Sequence, residues 1–102
     1  MSLSLNQVAP HVGSLFVVHT HAGMIKLLLD DARELPRRAH HEQFRTPMSL
    51  LFAGPESPQL AQDTYTFDHP VLGRQLWALT PVMVGSPQAL TQLQLRYEVL
   101  FA

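Results

Sequence analysis

Residues 49–73, SLLFAGPESPQLAQDTYTFDHPVLG, hold two apolar segments separated by a fixed break, and this stretch most constrains the fold of the chain. Residues 49–53 predict one strand and residues 63–68 predict another. Between them Gly54 is free to adopt a positive φ without steric cost, and Pro55 donates no backbone hydrogen bond. We therefore expect the first strand to end at this pair.

The second strand is followed by His69, Pro70 and Gly73, which predict a tight turn. An imidazole placed between a strand end and a proline lies next to the free backbone groups of the turn. We therefore expect the ring nitrogens of His69 to bind turn backbone.

Four further segments have the composition or the alternation of strands: residues 14–20, 24–31, 74–84 and 89–102. The last has the clearest period of two, since five apolar side chains fall on one face: Leu93, Leu95, Tyr97, Val99 and Phe101. Within residues 74–84, Pro81 predicts that the strand is bulged there or lies at an edge.

Residues 24–35 are ambiguous between helix and strand. Their residue types favour helix, and three apolar positions have helical spacing: Ile25, Leu28 and Leu29. A strand that pairs back on residues 14–20 through a turn at His21, Ala22 and Gly23 is equally natural. We favour a strand to about Asp31.

Together these segments predict a single domain, residues 1–102, of the all-β class. About six antiparallel strands would form a meander closed into a small barrel or sandwich. Residues 4–11 predict a short N-terminal helix or turn, capped by Ser4 or Asn6 and limited by Pro10.

The central strands are apolar on both faces, which a sheet with one face in water would not be. Charged residues make up 15% of the chain, against about 25% in a typical soluble domain. We therefore expect a second copy or another protein to cover part of the sheet. The candidate interface residues are Leu76, Trp77, Met83 and Leu100.

Charge and cysteine content exclude several classes of function. A net charge of -1 gives nucleic acid and anionic membrane no overall attraction, although residues 36–46 are locally rich in arginine and histidine. The chain has no cysteine, so it has no disulfide and no thiolate site. Its first residues lack a signal-peptide pattern, which predicts the cytoplasm, or delivery outside as part of an assembly. No cofactor is expected.

Histidine spacing allows one metal hypothesis. His19 and His21 would lie on the same side of a strand, and a third ligand would have to come from across the sheet, with His40 and His41 as candidates. A small-ligand or metal-binding β-barrel is therefore the alternative function. Two carboxylates that are neighbours in a strand, Asp30 and Asp31, would point to opposite faces and make no acid/base pair.

No catalytic residues are predicted. A hydrolase would need His69 as base and a serine nucleophile such as Ser49 or Ser57, but neither serine has the setting of a nucleophile. The structural interpretation of His69 is favoured, and we expect a protein without enzymatic activity.

Several motifs in this order resemble a bacterial family of small β proteins catalogued as a domain of unknown function, DUF6916. They are LLFAGP at 50–55, Gln62 with Tyr65, His69-Pro70 with Leu72-Gly73, and YEVLF at 97–101. The resemblance covers nearly the whole chain and implies no activity. It implies a structural part of a phage-tail-like fibre or filament, with a tail-fibre-like protein as partner.

Overall fold

The computed structural model describes residues 3–35, 47–86 and 89–101. The chain starts with a single helical turn, α1 (Leu5–Val8), which continues as a 3-10 turn at Ala9–His11. Ser4 is the N-cap, and its backbone N–H donates to Gln7 Oε1 at 2.7 Å. The short N-terminal helix is confirmed. No helix in the described ranges is long and apolar enough to cross a membrane.

Six antiparallel strands form a closed barrel, as the sequence predicts for the class and the strand number. The neighbours around the barrel run in the order β1-β2-β3-β6-β5-β4. The strands are β1 (Leu15–Thr20), β2 (Gly23–Glu34), β3 (Met48–Ala53), β4 (Asp63–His69), β5 (Gly73–Ser86) and β6 (Ala89–Phe101).

The connectivity differs from a simple meander. β4 returns to lie beside β1, while β3 pairs with β6, so the first four strands have the order of a Greek key. The nine residues 54–62 make this crossing possible because they span the end of the barrel. Leu60 from that segment is buried, and its N–H donates to the Tyr97 hydroxyl at 3.0 Å.

The two longest strands each belong to two sheets. β2 pairs with β1 through residues 23–28 and with β3 through residues 28–34. β5 pairs with β4 through residues 73–79 and with β6 through residues 80–86. The barrel therefore consists of two sheets that share β2 and β5.

The ambiguous segment is a strand, and it extends beyond Asp31 to Glu34. Ile25, Leu27 and Leu29 are buried, whereas Leu28 is exposed, so the burial follows a period of two rather than a helical period. A bulge shifts the register between Leu29 and Asp31. The strand continues because β3 provides a second partner for its last residues.

The core is filled by side chains from every strand, supplemented by Leu3 and Val8 of the N-terminal segment and by Leu60. Phe52 and Phe67 have ring centroids 5.4 Å apart, and the Phe67 ring lies 5.0 Å from that of Trp77. The largest fully buried side chains are Tyr97, Phe16, Phe52, Phe67, Leu27, Leu29, Met48, Leu50 and Leu79.

Gly54 is required for a different reason from the one expected. Positive φ occurs at Gly13, Gly23 and Gly73, and Gly54 is not among these residues. A Cβ at Gly54 would lie 2.7 Å from Leu27 Cδ2 and 3.1 Å from Tyr97 Cε2. Close packing against two core side chains therefore selects glycine there.

Pro81 is not at a bulge. It pairs in register with Tyr97, and the register of this ladder shifts elsewhere, between Gly85 and Ser86, where the extra residues belong to β6. The ladder between β5 and β4 ends at Leu79, so along the described strands Pro81 has a ladder neighbour on one side only. The edge alternative fits, because the N–H that proline lacks is not needed on that side.

Candidate interaction surface

A two-stranded extension of the barrel is the main candidate for a functional surface. The pairing of β6 with β3 begins at Tyr97, and the pairing of β5 with β4 ends at Leu79. Beyond these points residues 82–85 pair with residues 93–96, and Ser86 pairs with Ala89 after a register shift that skips residues 90–92. Within the described ranges these residues pair with no other strand. We call residues 82–86 and 89–95 the arm.

The alternation of side chains that face the barrel interior continues along the arm, where the same face is exposed to solvent. Trp77 and Leu79 of β5 and Tyr97 and Val99 of β6 point into the core, and the same alternation places Met83, Gly85, Leu93 and Leu95 on the continuing face. A Cβ at Gly85 would lie 3.6 Å from Leu93 Cδ2, which confirms that these two residues share a face.

The described core covers this face only near the barrel. Leu95 packs against the core, but Met83 is 56% exposed and Leu93 is 58% exposed. An inward-facing strand pattern with more than half of each side chain in water is typical of a surface that another protein covers.

Arg96 fixes the base of the arm. Its Nε donates to Asp30 Oδ2 at 3.2 Å, its Nη2 to Gln94 Oε1 at 2.9 Å and its Nη1 to the Leu95 carbonyl at 3.0 Å. The arm is therefore tied both to itself and to the bulge in β2.

The expectation that Asp30 and Asp31 point to opposite faces is wrong. Asp31 Oδ2 accepts from Arg33 Nε at 2.9 Å while Asp30 accepts from Arg96, and both carboxylates reach solvent. The reason is the bulge, which breaks the strict alternation of side chains between the two residues.

The arm lacks the charges that usually protect exposed strands. Residues 75–95, a run of 21 positions, contain no Asp, Glu, Lys, Arg or His. Natural edge strands commonly carry charged side chains, especially lysine, that prevent pairing with another chain. The arm strand from β6 also has no proline, so each of its residues keeps a backbone donor.

The interface residues predicted from sequence lie in three different places. Met83 is on the arm, Leu76 is 70% exposed on the outer face of β5 opposite Thr66, and Leu100 is exposed on the outer face of β6 opposite Ser49. Trp77 is the exception. It is 6% exposed and packs against core aromatic rings, so it offers almost no surface to a partner.

Leu93 was not identified as an interface residue from sequence, although it is as exposed as Leu100. Its alternation with Leu95, Tyr97 and Val99 is that of a core strand. The hydrophobic period does not distinguish a strand inside the barrel from a strand that leaves it. The sequence signal that could have identified Leu93 is the charge-free run 75–95, which contains it.

A charged network lies on the outer face of the barrel, where β1, β4 and β5 are neighbours. Arg74 Nε donates to Asp68 Oδ1 at 2.8 Å, and His19 Nε2 lies 2.5 Å from Asp68 Oδ2. Hydrogen bonds from Arg74, and then from His19, hold the pKa of Asp68 well below its usual range. His19 is thus engaged by a carboxylate.

The metal hypothesis receives no support from the described residues. Within residues 3–35, 47–86 and 89–101, no three His, Asp or Glu side chains come together to hold a metal ion. His40 and His41 fall outside the described residues, as does the whole arginine-rich segment 36–46. The metal- or ligand-binding alternative stays a prediction.

His69 contacts a serine hydroxyl, and the serine is Ser14 rather than Ser49 or Ser57. Its Nδ1 accepts from the backbone N–H groups of Val71 and Leu72 at 3.1 and 3.2 Å. The ring proton of the neutral imidazole must therefore be on Nε2, which lies 2.9 Å from Ser14 Oγ.

The direction of these hydrogen bonds opposes base catalysis. Ser14 Oγ donates its own proton to the His11 carbonyl at 2.6 Å, so the chain of donors runs from His69 through Ser14 to the backbone. A general base needs a free lone pair facing the nucleophile, and Nε2 of His69 presents a proton instead. Ser49 donates to Glu98 Oε2 at 2.9 Å.

The fold and this surface define the protein as a small closed antiparallel β-barrel with a projecting two-stranded arm. Residues 3–101 match the family model described as "Domain of unknown function (DUF6916)", and the chain belongs to that family. The resemblance stated from the motifs is thereby confirmed. Neither the curated proteins nor the solved structures contain a significant match.

Proposed function

We propose that this protein is a non-enzymatic structural module that assembles with copies of itself or with a protein partner. The observation that supports this most is the arm, which exposes Met83 and Leu93 on the face that continues the barrel interior. Covering such side chains gains about 25 cal/mol for each Å² of apolar area removed from water.

The chemistry of the arm also limits the kind of partner. A surface without charged groups gives no electrostatic attraction to nucleic acid, to anionic lipid or to a charged peptide. It favours a partner that offers apolar side chains and a strand edge, and those are properties of another β protein.

The absence of enzymatic activity is part of the proposal. It is supported by the His69–Ser14 contact, in which the imidazole donates to the hydroxyl. A hydrolase using this pair would need the opposite direction of proton transfer.

Light scattering and sedimentation over a range of concentrations test the proposal. We expect an oligomer at tens of micromolar, or a stable complex with a purified partner protein. A protein that stays monomeric throughout that range, and that forms no complex with the products of neighbouring genes, would contradict the proposal.

We also propose a tail-like fibre or filament as the assembly, following the family resemblance. A head-to-tail contact, or two different two-fold contacts on the same chain, forms an open filament, whereas a single two-fold contact by itself forms a closed dimer. Electron microscopy of the assembled protein separates these outcomes. Filaments of regular width support the fibre proposal, and discrete closed particles contradict it.

A further inference from the structure

We propose that the partner of the arm is a second copy of this chain, and that the open edge of β6 at residues 89–95 pairs antiparallel with the same edge of the other copy. This inference deepens the proposed function and rests on it. The contact would join two arms into one four-stranded sheet.

The choice of edge follows from the backbone. Ala89 and residues 93–95 pair with β5 on one side, and along the described strands residues 89–95 have no ladder partner on the other. The arm strand from β6 contains no proline, whereas the free side of β5 begins at Pro81, which has no N–H to donate. The edge of β6 therefore keeps its donors and acceptors.

The lack of charge supports a second copy as the partner, because it removes the repulsion that self-pairing would otherwise cause. Two identical strands related by a two-fold axis place residue i opposite residue j and residue j opposite residue i, and a residue at the axis faces itself. A charged residue at the axis would face the same charge on the other copy, and like charges at directly opposite positions are destabilising. The charge-free run 75–95 avoids this penalty at every register.

Pairing would also give hydrogen-bond partners to the free backbone groups of the β6 edge and would extend the apolar face of the arm. A two-stranded ribbon is marginally stable by itself in water, while three or more strands with an apolar face are stable. A two-fold axis perpendicular to the sheet keeps Met83, Leu93 and Leu95 of both copies on one face. The exposed apolar side chains of each arm then lie beside those of the other arm.

Leu93→Lys tests the inference, with Leu76→Lys as its matched control. Both leucines are more than half exposed, so the folded monomer tolerates either change. Leu93→Lys places two like charges in the contact, and we expect the dissociation constant of the dimer to rise at least tenfold. Leu76→Lys, on the barrel, should leave it within twofold. Circular dichroism verifies the fold of both variants.

A mixing experiment identifies the partner surface. Leu93→Lys and Leu93→Glu should each be monomeric alone and should associate when mixed, because opposite charges then lie near each other across the two arms, directly opposite or on a diagonal. If both variants are folded and neither associates in the mixture, the arm-to-arm contact is wrong.

Cysteine cross-linking provides an independent readout because the natural chain has none. Directly opposite residues in antiparallel strands have Cα atoms about 4.5–5.5 Å apart, within the range of a disulfide. Single cysteines at positions 93, 94 and 95 should give a linked dimer at whichever of them is nearest the two-fold axis. Glu56→Cys, in the exposed crossing loop, should remain unlinked.

The outcomes separate this inference from the proposed function. An oligomer that persists in Leu93→Lys, or that cross-links through Glu56→Cys as readily as through the arm, overturns the arm contact but leaves an assembly module. A wild-type chain that is monomeric by itself and binds a different protein overturns the second copy as partner. A wild-type chain that binds nothing overturns both.

Discussion

The imidazole Nε2 of His69 lies 2.9 Å from the hydroxyl oxygen of Ser14, and the proton of this contact belongs to the ring. The pair thus resembles a nucleophile and its base in composition only. His69 is buried at the end of β4, where it connects the turn that follows with the segment before β1. Its role in the barrel is to join three pieces of backbone.

Stability should fall as the pH is lowered through the range in which His69 titrates. Burial, and then the nearby His11, lower the pKa of His69 below its ordinary value of 6.5. The unfolded chain therefore takes up this proton first, and the free energy of unfolding decreases as the pH falls below about 6.5. The slope from this one group is at most about 1.4 kcal/mol per pH unit.

Urea unfolding between pH 7.5 and 4.5 measures this slope, with His69→Gln as the comparison. The variant is expected to be less stable at pH 7.5, and its deficit should shrink as the pH falls. A deficit that is constant across the range would show that His69 does not titrate in this way.

Tyr97→Phe should destabilise the protein by about 1–3 kcal/mol, because it leaves the buried N–H of Leu60 without its acceptor. Tyr65→Phe is the matched control. The Tyr65 hydroxyl donates to the exposed Ala61 carbonyl, which water can satisfy after the change, so its cost should stay below about 1 kcal/mol. Chemical denaturation of both variants measures the difference, and equal losses would contradict the structural assignment.

Gly54→Ala should cost about 1–3 kcal/mol, since the new methyl group would lie 2.7 Å from Leu27 Cδ2 in a filled core. Gly85→Ala provides the control within the same chain, because its Cβ would make an ordinary contact of 3.6 Å with Leu93. Thermal unfolding at a concentration where the protein is monomeric should separate the two variants. Comparable melting temperatures would argue against the close approach at Gly54.

Gly73→Ala should lose about 1–2 kcal/mol through backbone strain alone, because φ is +78° and a Cβ would have no atom within 4 Å. Gly73→Asn should lose less, since asparagine tolerates the left-handed region better than alanine. The ranking of the two midpoints in urea is the measurement. A more stable alanine variant would mean that the turn after β4 has another conformation.

The strands themselves could be predicted because alternation is local. Leu93, Tyr97 and Val99 show the period of two directly, and the same period explains why β2 buries Ile25 and Leu27. The bulge at Asp30 could not be predicted in this way, because it depends on the register between β2 and β3. A local pattern contains no information about register with a distant strand.

The arm could not be predicted for a related reason. Its existence depends on where β4 and β3 end relative to their neighbours, at the pairs Leu79 with Asp63 and Phe52 with Tyr97. Both pairings join residues far apart in the sequence. Side-chain pattern alone therefore gave the length of β5 and β6 but not the point at which they leave the barrel.

Because β2 and β5 each run through both sheets, the two sheets cannot be separated without breaking the pairing of a shared strand. Neither sheet can melt while the other keeps its full complement of neighbours. Heat should therefore take the barrel apart in a single cooperative step, with the calorimetric enthalpy equal to the van't Hoff enthalpy.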